Sequence, residues 1–96
     1  MKLPLKAHCQ EVHLDIEVGR QVKNVLVQEN HDGLWFHLSC KTYERILAIP
    51  SRKMRSMRGV PLYFYVLPDR IGVWPIPKMD CELKVNFYRK KAQPRD

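Results

Sequence analysis

The chain has 96 residues and a mass of 11.4 kDa, so it forms at most one small domain with a limited hydrophobic core. Its 45% hydrophobic and 28% charged residues are typical of a globular protein and exclude an intrinsically disordered chain. The net charge of +7 lies wholly in the second half, because residues 1–49 contain six basic and six acidic residues, whereas residues 50–96 contain eleven basic and four acidic ones. This imbalance predicts an anionic partner for the second half, nucleic acid or an acidic protein, unless the cations only solvate strand faces.

Other classes of protein are disfavoured by what the sequence lacks. No apolar run approaches the roughly 20 residues of a membrane span, and the opening Met1-Lys2-Leu3-Pro4 does not indicate a signal peptide. The cysteines are odd in number and widely spaced, at Cys9, Cys40 and Cys81, which argues against a disulfide framework. We therefore expect a chain that is made and kept in a cytosol, away from membranes.

The first third of the chain predicts strands. Residues 1–10 show no period and are predicted to be an N-terminal arm. Residues 11–18 alternate between apolar and polar side chains, which predicts a half-buried strand with an acidic outer face. Residues 21–28 and 34–38 predict two further strands. The sequence Asn30-His31-Asp32-Gly33 between them favours a hairpin, because Asp-Gly tolerates the positive φ angles of a tight turn.

One short helix is predicted at about residues 41–49. Ser39 and Thr42 are both candidate N-caps, and Tyr43, Ile46 and Leu47 follow at roughly helical spacing. Pro50 ends the helix because it forces the preceding residue out of the α region. Residues 51–60 are predicted to form a loop that is basic, contains two methionines and has no acidic residue.

The rest of the chain predicts three more strands, at residues 62–67, 71–74 and 81–89. Proline-containing gaps separate these runs of aromatic and β-branched residues, as in an antiparallel meander. The predicted fold is therefore mainly β, a small antiparallel β-sandwich or barrel-like domain with one short helix. Residues 11–91 would form this single domain, and residues 92–96 a C-terminal tail.

The order of residues in this last part also carries a resemblance. It has the form G-x-P-x-Y, then an aromatic, Y, I-x-V-W-P-x-P and L-x-V-x-F-Y-R, from Gly59 to Arg89. This pattern resembles the β-rich part of the head–tail adaptor (connector) proteins of tailed bacteriophages, and the match is strongest over residues 59–91. The segment from Tyr43 to Leu47 looks like the short helix that precedes this strand in the family.

The resemblance implies a structural virion protein, assembled in the host cytoplasm. It would be a repeated subunit of a homo-oligomeric ring that joins the portal to the tail around the DNA channel, with possible non-specific contact with that DNA. Adaptors of this family usually begin with a helical portion that docks on the portal, and this sequence has none. Its station in the neck or tail therefore stays open.

No motif predicts catalysis, and neither a metal nor a cofactor is expected. The segment His37-Leu38-Ser39-Cys40 supplies half of a zinc site, but Cys81 stands alone and provides no matching second half. There is no G-x-S-x-G elbow, phosphate-binding glycine loop or paired-carboxylate motif. We do not expect an enzyme.

Two sets of residues are predicted to contact partners. The cations of the basic loop would meet an anionic partner, either DNA or an acidic protein: Arg52, Lys53, Arg55 and Arg58. The methionines of the same loop and three aromatic residues of the strands would lie at subunit contacts: Met54, Met57, Tyr63, Tyr65 and Trp74. Trp74, which is bracketed by prolines, has a second interpretation as an ordinary core residue at a strand end.

The alternative function is that of a small, basic β-barrel nucleic-acid-binding protein, such as a phage-encoded regulator. Basic loops beside aromatic strands are how small β-barrels bind single strands. Aromatic residues in strands are nevertheless more often buried in cores or interfaces than exposed for base stacking. The two functions differ in that a virion component binds other virion proteins without nucleic acid.

Overall fold

The computed structural model describes residues 1–14, 21–29 and 33–88. These residues form nine strands and two short helices, in the order β1 (Lys2–Leu5), β2 (Glu11–His13), β3 (Val22–Gln28), β4 (Phe36–Cys40), α1 (Tyr43–Leu47), α2 (Arg52–Arg55), β5 (Arg58–Gly59), β6 (Tyr63–Leu67), β7 (Arg70–Trp74), β8 (Ile76–Pro77) and β9 (Cys81–Phe87). No helix in these three ranges is long and apolar enough to cross a membrane.

Seven strands form one sheet in the order β1-β9-β3-β4-β6-β7-β2, and β5 pairs with β8 beside it. The outermost strands β1 and β2 contact each other, so the sheet curls into a nearly closed barrel. The predicted mainly β, barrel-like fold is confirmed. The sheet is not wholly antiparallel as expected, because β4 and β6 run parallel to each other, as do β5 and β8.

Alternation along the strands places the core inside the barrel. Val25 and Val27 of β3 are completely buried and lie opposite Val85 and Leu83 of β9. Val25 is also paired with Leu38 of β4, which is 6% exposed. Because side chains two residues apart share a face of a strand, these register pairs produce one continuous inner face.

The predicted meander is correct for β6 and β7, which form an antiparallel hairpin, but wrong for β9. After β7 the chain passes through β8, and β9 then inserts between β1 and β3 on the other side of the barrel. The physical reason lies in its burial pattern. Cys81, Leu83 and Val85 are all buried, and a strand so apolar on one face is stable in the middle of a sheet with both edges hydrogen-bonded.

The predicted helix is present as α1, and the predicted loop contains a second helix that was not expected. Thr42, rather than Ser39, caps α1 by accepting a hydrogen bond from the Arg45 amide at 3.3 Å. Ser51 caps α2 in the same way, accepting from the Met54 amide at 3.4 Å. Pro50 ends the first helix, and the serine that follows it starts the next one.

The N-terminal end of the chain differs from the expected arm, because it contains a strand. Residues 1–10 contain β1, whose Leu5 is 2% exposed and pairs with Cys81. The amino group of Met1 donates a hydrogen bond to the Val85 carbonyl at 3.1 Å. Hydrogen bonding to the central strand β9 therefore forms a strand from a segment whose sequence shows no alternation. Residues 15–18 of the first predicted strand, 30–32 of the predicted turn and the whole tail lie outside the described residues.

A close approach on the outer face of the sheet requires glycine at position 72. Tyr65 of β6 pairs with Gly72 of β7, and its ring lies across the space that a Cβ at position 72 would occupy. Its hydroxyl donates a hydrogen bond to the Glu11 carboxylate of β2 at 2.6 Å. The tyrosine ring thus spans three strands, and any side chain at position 72 would displace it.

We expect Gly72→Ala to lower the free energy of unfolding by about 1–3 kcal/mol, because overpacking forces a buried ring off its position. Gly59→Ala is the matched control, since a Cβ there would meet only Pro75 Cβ at 3.9 Å, an ordinary contact. Urea denaturation of the two variants and the parent chain measures both effects. Equal stability of the two variants would contradict this account of Gly72.

Candidate functional site

The described residues that most resemble a site for a partner surround α2. The indole Nε1 of Trp74 donates a hydrogen bond shared between the carbonyl oxygens of Met54 and Arg55, at 3.3 and 3.2 Å. The same indole stacks on Tyr63, with ring centroids 6.1 Å apart and an interplanar angle of 28°. Three of the five residues predicted at subunit contacts, Met54, Tyr63 and Trp74, are therefore brought together.

Large apolar side chains are exposed around this helix. Five of the eleven exposed large hydrophobic residues among those described lie between positions 47 and 62. They are Leu47, Met54, Met57, Val60 and Leu62, and their exposed fractions range from 43% to 55%. So many exposed apolar side chains in one segment of a small protein favour an interaction site. We refer to these five residues, with the exposed cations Arg52, Lys53 and Arg58, as the α2 surface.

The four basic residues predicted to contact an anionic partner differ in their exposure to solvent. Arg52, Lys53 and Arg58 are exposed, and α2 contains no acidic residue that would offset their charge. Arg55 is half-buried, and its Nη1 donates hydrogen bonds to the carbonyl oxygens of Ile49 at 2.7 Å and Leu47 at 3.5 Å. It therefore fixes the connection between the two helices, which leaves three cations to face a partner.

Trp74 is half-buried within this chain, and its contact with another subunit stays a prediction. It supports α2 from within the chain, as a structural residue does, and it keeps an exposed portion beside Met54. Lys41, which was not singled out in the sequence, lies with its Nζ 4.3 Å from the centre of the Tyr63 ring. No sequence pattern indicated this contact, because it joins residues 22 positions apart through the pairing of β4 with β6.

Tyr65 does not lie at the surface, and its predicted place at a subunit contact is wrong. Its side chain is 1% exposed within this chain alone. It packs against Tyr43 of α1, with ring centroids 5.2 Å apart, and its hydroxyl is bonded to Glu11, which also lies 3.4 Å from Arg70 Nη1. Burial and the Glu11 carboxylate raise the pKa of Tyr65 well above its usual value.

The residues considered for metal or cofactor chemistry are not assembled into a site. Within residues 1–14, 21–29 and 33–88, no three His, Cys, Asp or Glu side chains are grouped so that they could hold a metal ion. Cys9 and Cys40 are exposed, and Cys81 is buried.

Searches against protein-family models and curated proteins give no match to this chain.

We expect Trp74→Phe to speed tryptic cleavage within α2 about fivefold. The substitution keeps an aromatic ring against Tyr63 but removes the indole N–H, which contributes about 1 kcal/mol to holding the helix closed. Timed digestion followed by mass spectrometry measures cleavage after Arg52, Lys53 and Arg55.

The control for this experiment is Trp35→Phe. Trp35 contacts Lys2 and Lys84, at 5.7 and 5.8 Å, rather than α2, so its variant should be cut at the rate of the parent chain. If both variants are cleaved equally fast, the indole N–H of Trp74 does not hold α2.

We expect the stability that Tyr65 contributes to be lost at high pH. The raised pKa means that the folded chain keeps the phenol protonated where the unfolded chain, titrating at about 10, releases the proton. The contribution is therefore full below about pH 10 and falls as the pH rises beyond it. Tyr65→Phe should cost about 1–2 kcal/mol at pH 8 and less at pH 11, as measured by urea denaturation. A difference between parent and variant that does not change with pH would contradict this.

Proposed function

We propose that this chain is a structural subunit of a tailed-phage virion, repeated in a ring of the neck or tail as in head–tail adaptors. The observation that carries the proposal is the α2 surface. It combines exposed apolar side chains with three exposed cations on a segment held in place by Trp74. Because exposed apolar area of this kind is costly in water, its retention in a small domain favours a partner that covers it.

The resemblance of residues 59–91 to the β-rich part of adaptors supports the same function from the sequence. Such a subunit functions in assembly, so it needs surfaces that bind neighbouring subunits rather than a catalytic group. Its partners would be further copies of itself and other virion proteins such as the portal and tail, with non-specific contact to DNA in the channel. It would be assembled in the host cytoplasm and retained in the virion.

Binding of single-stranded nucleic acid is the second candidate function, favoured by contacts between lysines and aromatic rings. Lys41 lies over Tyr63, and Lys2 and Lys84 both lie over Trp35. Strands that present cations beside rings can hold a phosphate backbone and stack its bases. In this chain the rings already contact lysines or each other, which leaves less of their faces for bases.

The proposal is tested by the oligomeric state of the purified chain, freed of nucleic acid, and by the inventory of purified particles. We expect the parent chain to form oligomers in sedimentation and to be present in virions in stoichiometric copies. Arg52→Ser/Lys53→Ser should weaken assembly while leaving the thermal unfolding transition in place. The matched control is Lys23→Ser/Lys78→Ser, which removes the same charge from exposed residues outside the α2 surface.

The two candidate functions give different results in these assays. A chain that stays monomeric, is absent from particles and binds single-stranded DNA would support the second function and overturn the first. In that case the logarithm of affinity should fall with the logarithm of salt concentration, with a slope of about 0.7 per phosphate contacted. Equal assembly of the two double variants would show that the α2 surface is only a solvated segment.

A further inference from the structure

A cleft of about 360 Å³ lies at the end of the barrel where β1 and β3 finish and β9 begins. Its walls are of two kinds. Pro4, Leu5 and Cys81 form an apolar part, and Glu29, Asp80 and Glu82 carry carboxylates around it. Among the residues that the structure describes, Lys6 is the single basic one that lines this cleft, so these residues give the cleft negative charge beside an apolar part.

Two of these carboxylates also act on the thiol of Cys81 in the apolar part of the cleft. Cys81 is 8% exposed, and burial, together with Glu29 and Asp80, raises the pKa of its thiol to about 11. Asp80 is held in place by a hydrogen bond that its Oδ1 accepts from the Ala7 amide at 2.8 Å. A positively charged group that enters this cleft would be attracted, and an apolar one would find a surface to cover.

The α2 surface has the complementary properties and belongs to a different part of the chain. It presents exposed cations without an acidic residue in the helix, and its two methionines have flexible side chains that adapt to irregular grooves. None of its residues lines the cleft. One chain therefore carries both halves of a contact, at two separate places on its surface.

We infer that the cleft formed by β1, β3 and β9 receives the α2 surface of a second copy of this chain. The inference rests on the proposed function, since it supplies the subunit contact that a ring requires. A contact between two unlike surfaces is heterologous, so each subunit uses its cleft for one neighbour and its α2 surface for the other. Such contacts close into a ring when the rotation between subunits allows it.

Two variants that each lose one half of the contact test this directly. In the first, Arg52→Ser/Lys53→Ser/Met54→Ser, the α2 surface is removed and the cleft is intact. In the second, Glu29→Lys/Glu82→Lys, the cleft is reversed in charge and the α2 surface is intact. Each variant alone should sediment as a monomer at concentrations where the parent chain assembles, with a dissociation constant raised at least about tenfold.

Mixing the two variants should give a one-to-one heterodimer and nothing larger, because only one pair of functional surfaces remains. A combined variant, Arg52→Glu/Lys53→Glu/Glu29→Lys/Glu82→Lys, exchanges the two signs of charge and should recover assembly. The matched control is Lys23→Glu/Asp69→Lys, which exchanges charges at exposed residues outside both surfaces and should assemble like the parent chain. Far-UV circular dichroism confirms that each variant is folded.

A second measurement needs no substitution. Lys6 is exposed and lines the cleft, so if α2 covers the cleft, acetylation of the Lys6 amino group should slow as the concentration of the parent chain rises through the assembly range. The exposed amino groups of Lys23 and Lys78, which lie outside both surfaces, act as internal references.

The outcomes separate this inference from the proposed function. If the cleft variant assembles like the parent chain, or if the mixture stays monomeric, the inference is wrong while assembly itself stands. If the parent chain does not self-associate at all, the inference is wrong, and the particle inventory decides the proposed function. Inhibition of assembly by a short acidic peptide, without any effect of the cleft variant, would mean that α2 binds another surface of the neighbouring copy and would overturn the inference.

Discussion

The hydrogen bond from the Trp74 indole to the carbonyl oxygens of Met54 and Arg55 joins the barrel to the exposed helix α2. A helix of four residues has too few internal hydrogen bonds to persist alone in water. The indole supplies a fixed donor from the end of β7, and Arg55 ties the same helix to Leu47 at the end of α1 and to Ile49 beyond it. These two contacts position the exposed residues of α2, whereas Met57 and Arg58 are held by backbone pairing with Ile76.

The barrel provides the rigidity that these contacts need. Tyr65 crosses Gly72 and bonds to Glu11, so that β6, β7 and β2 are joined by one side chain on the outer face. Strand β9 is hydrogen-bonded along both of its edges, to β1 and to β3. It also contributes three buried side chains to the inner face. A chain of this size forms only a small core. Several large apolar side chains therefore remain exposed at its surface.

Much of the fold could be predicted, because alternation and turn residues are local properties. The strands near residues 21–28, 62–67 and 71–74, and the helix that Pro50 ends, lie close to their predicted positions. The candidate site was predicted in part. Tyr63 and Tyr65 are on the same face of β6 by alternation, yet only Tyr65 is covered by α1. Nothing in the sequence distinguishes them, since burial here depends on where a distant helix packs.

The sequence by itself determined that this protein is a small, mainly β domain whose net positive charge lies in its second half. Composition, charge distribution and the alternation of apolar residues are all properties of the sequence alone. Tertiary structure decided which strands are neighbours, since pairing of β9 with β1 and β3 depends on contacts across almost the whole chain. It also decided that Arg55 faces inward to backbone carbonyls while Arg52 faces solvent. The acidic cleft exists only because three strand ends, far apart in sequence, meet at one end of the barrel.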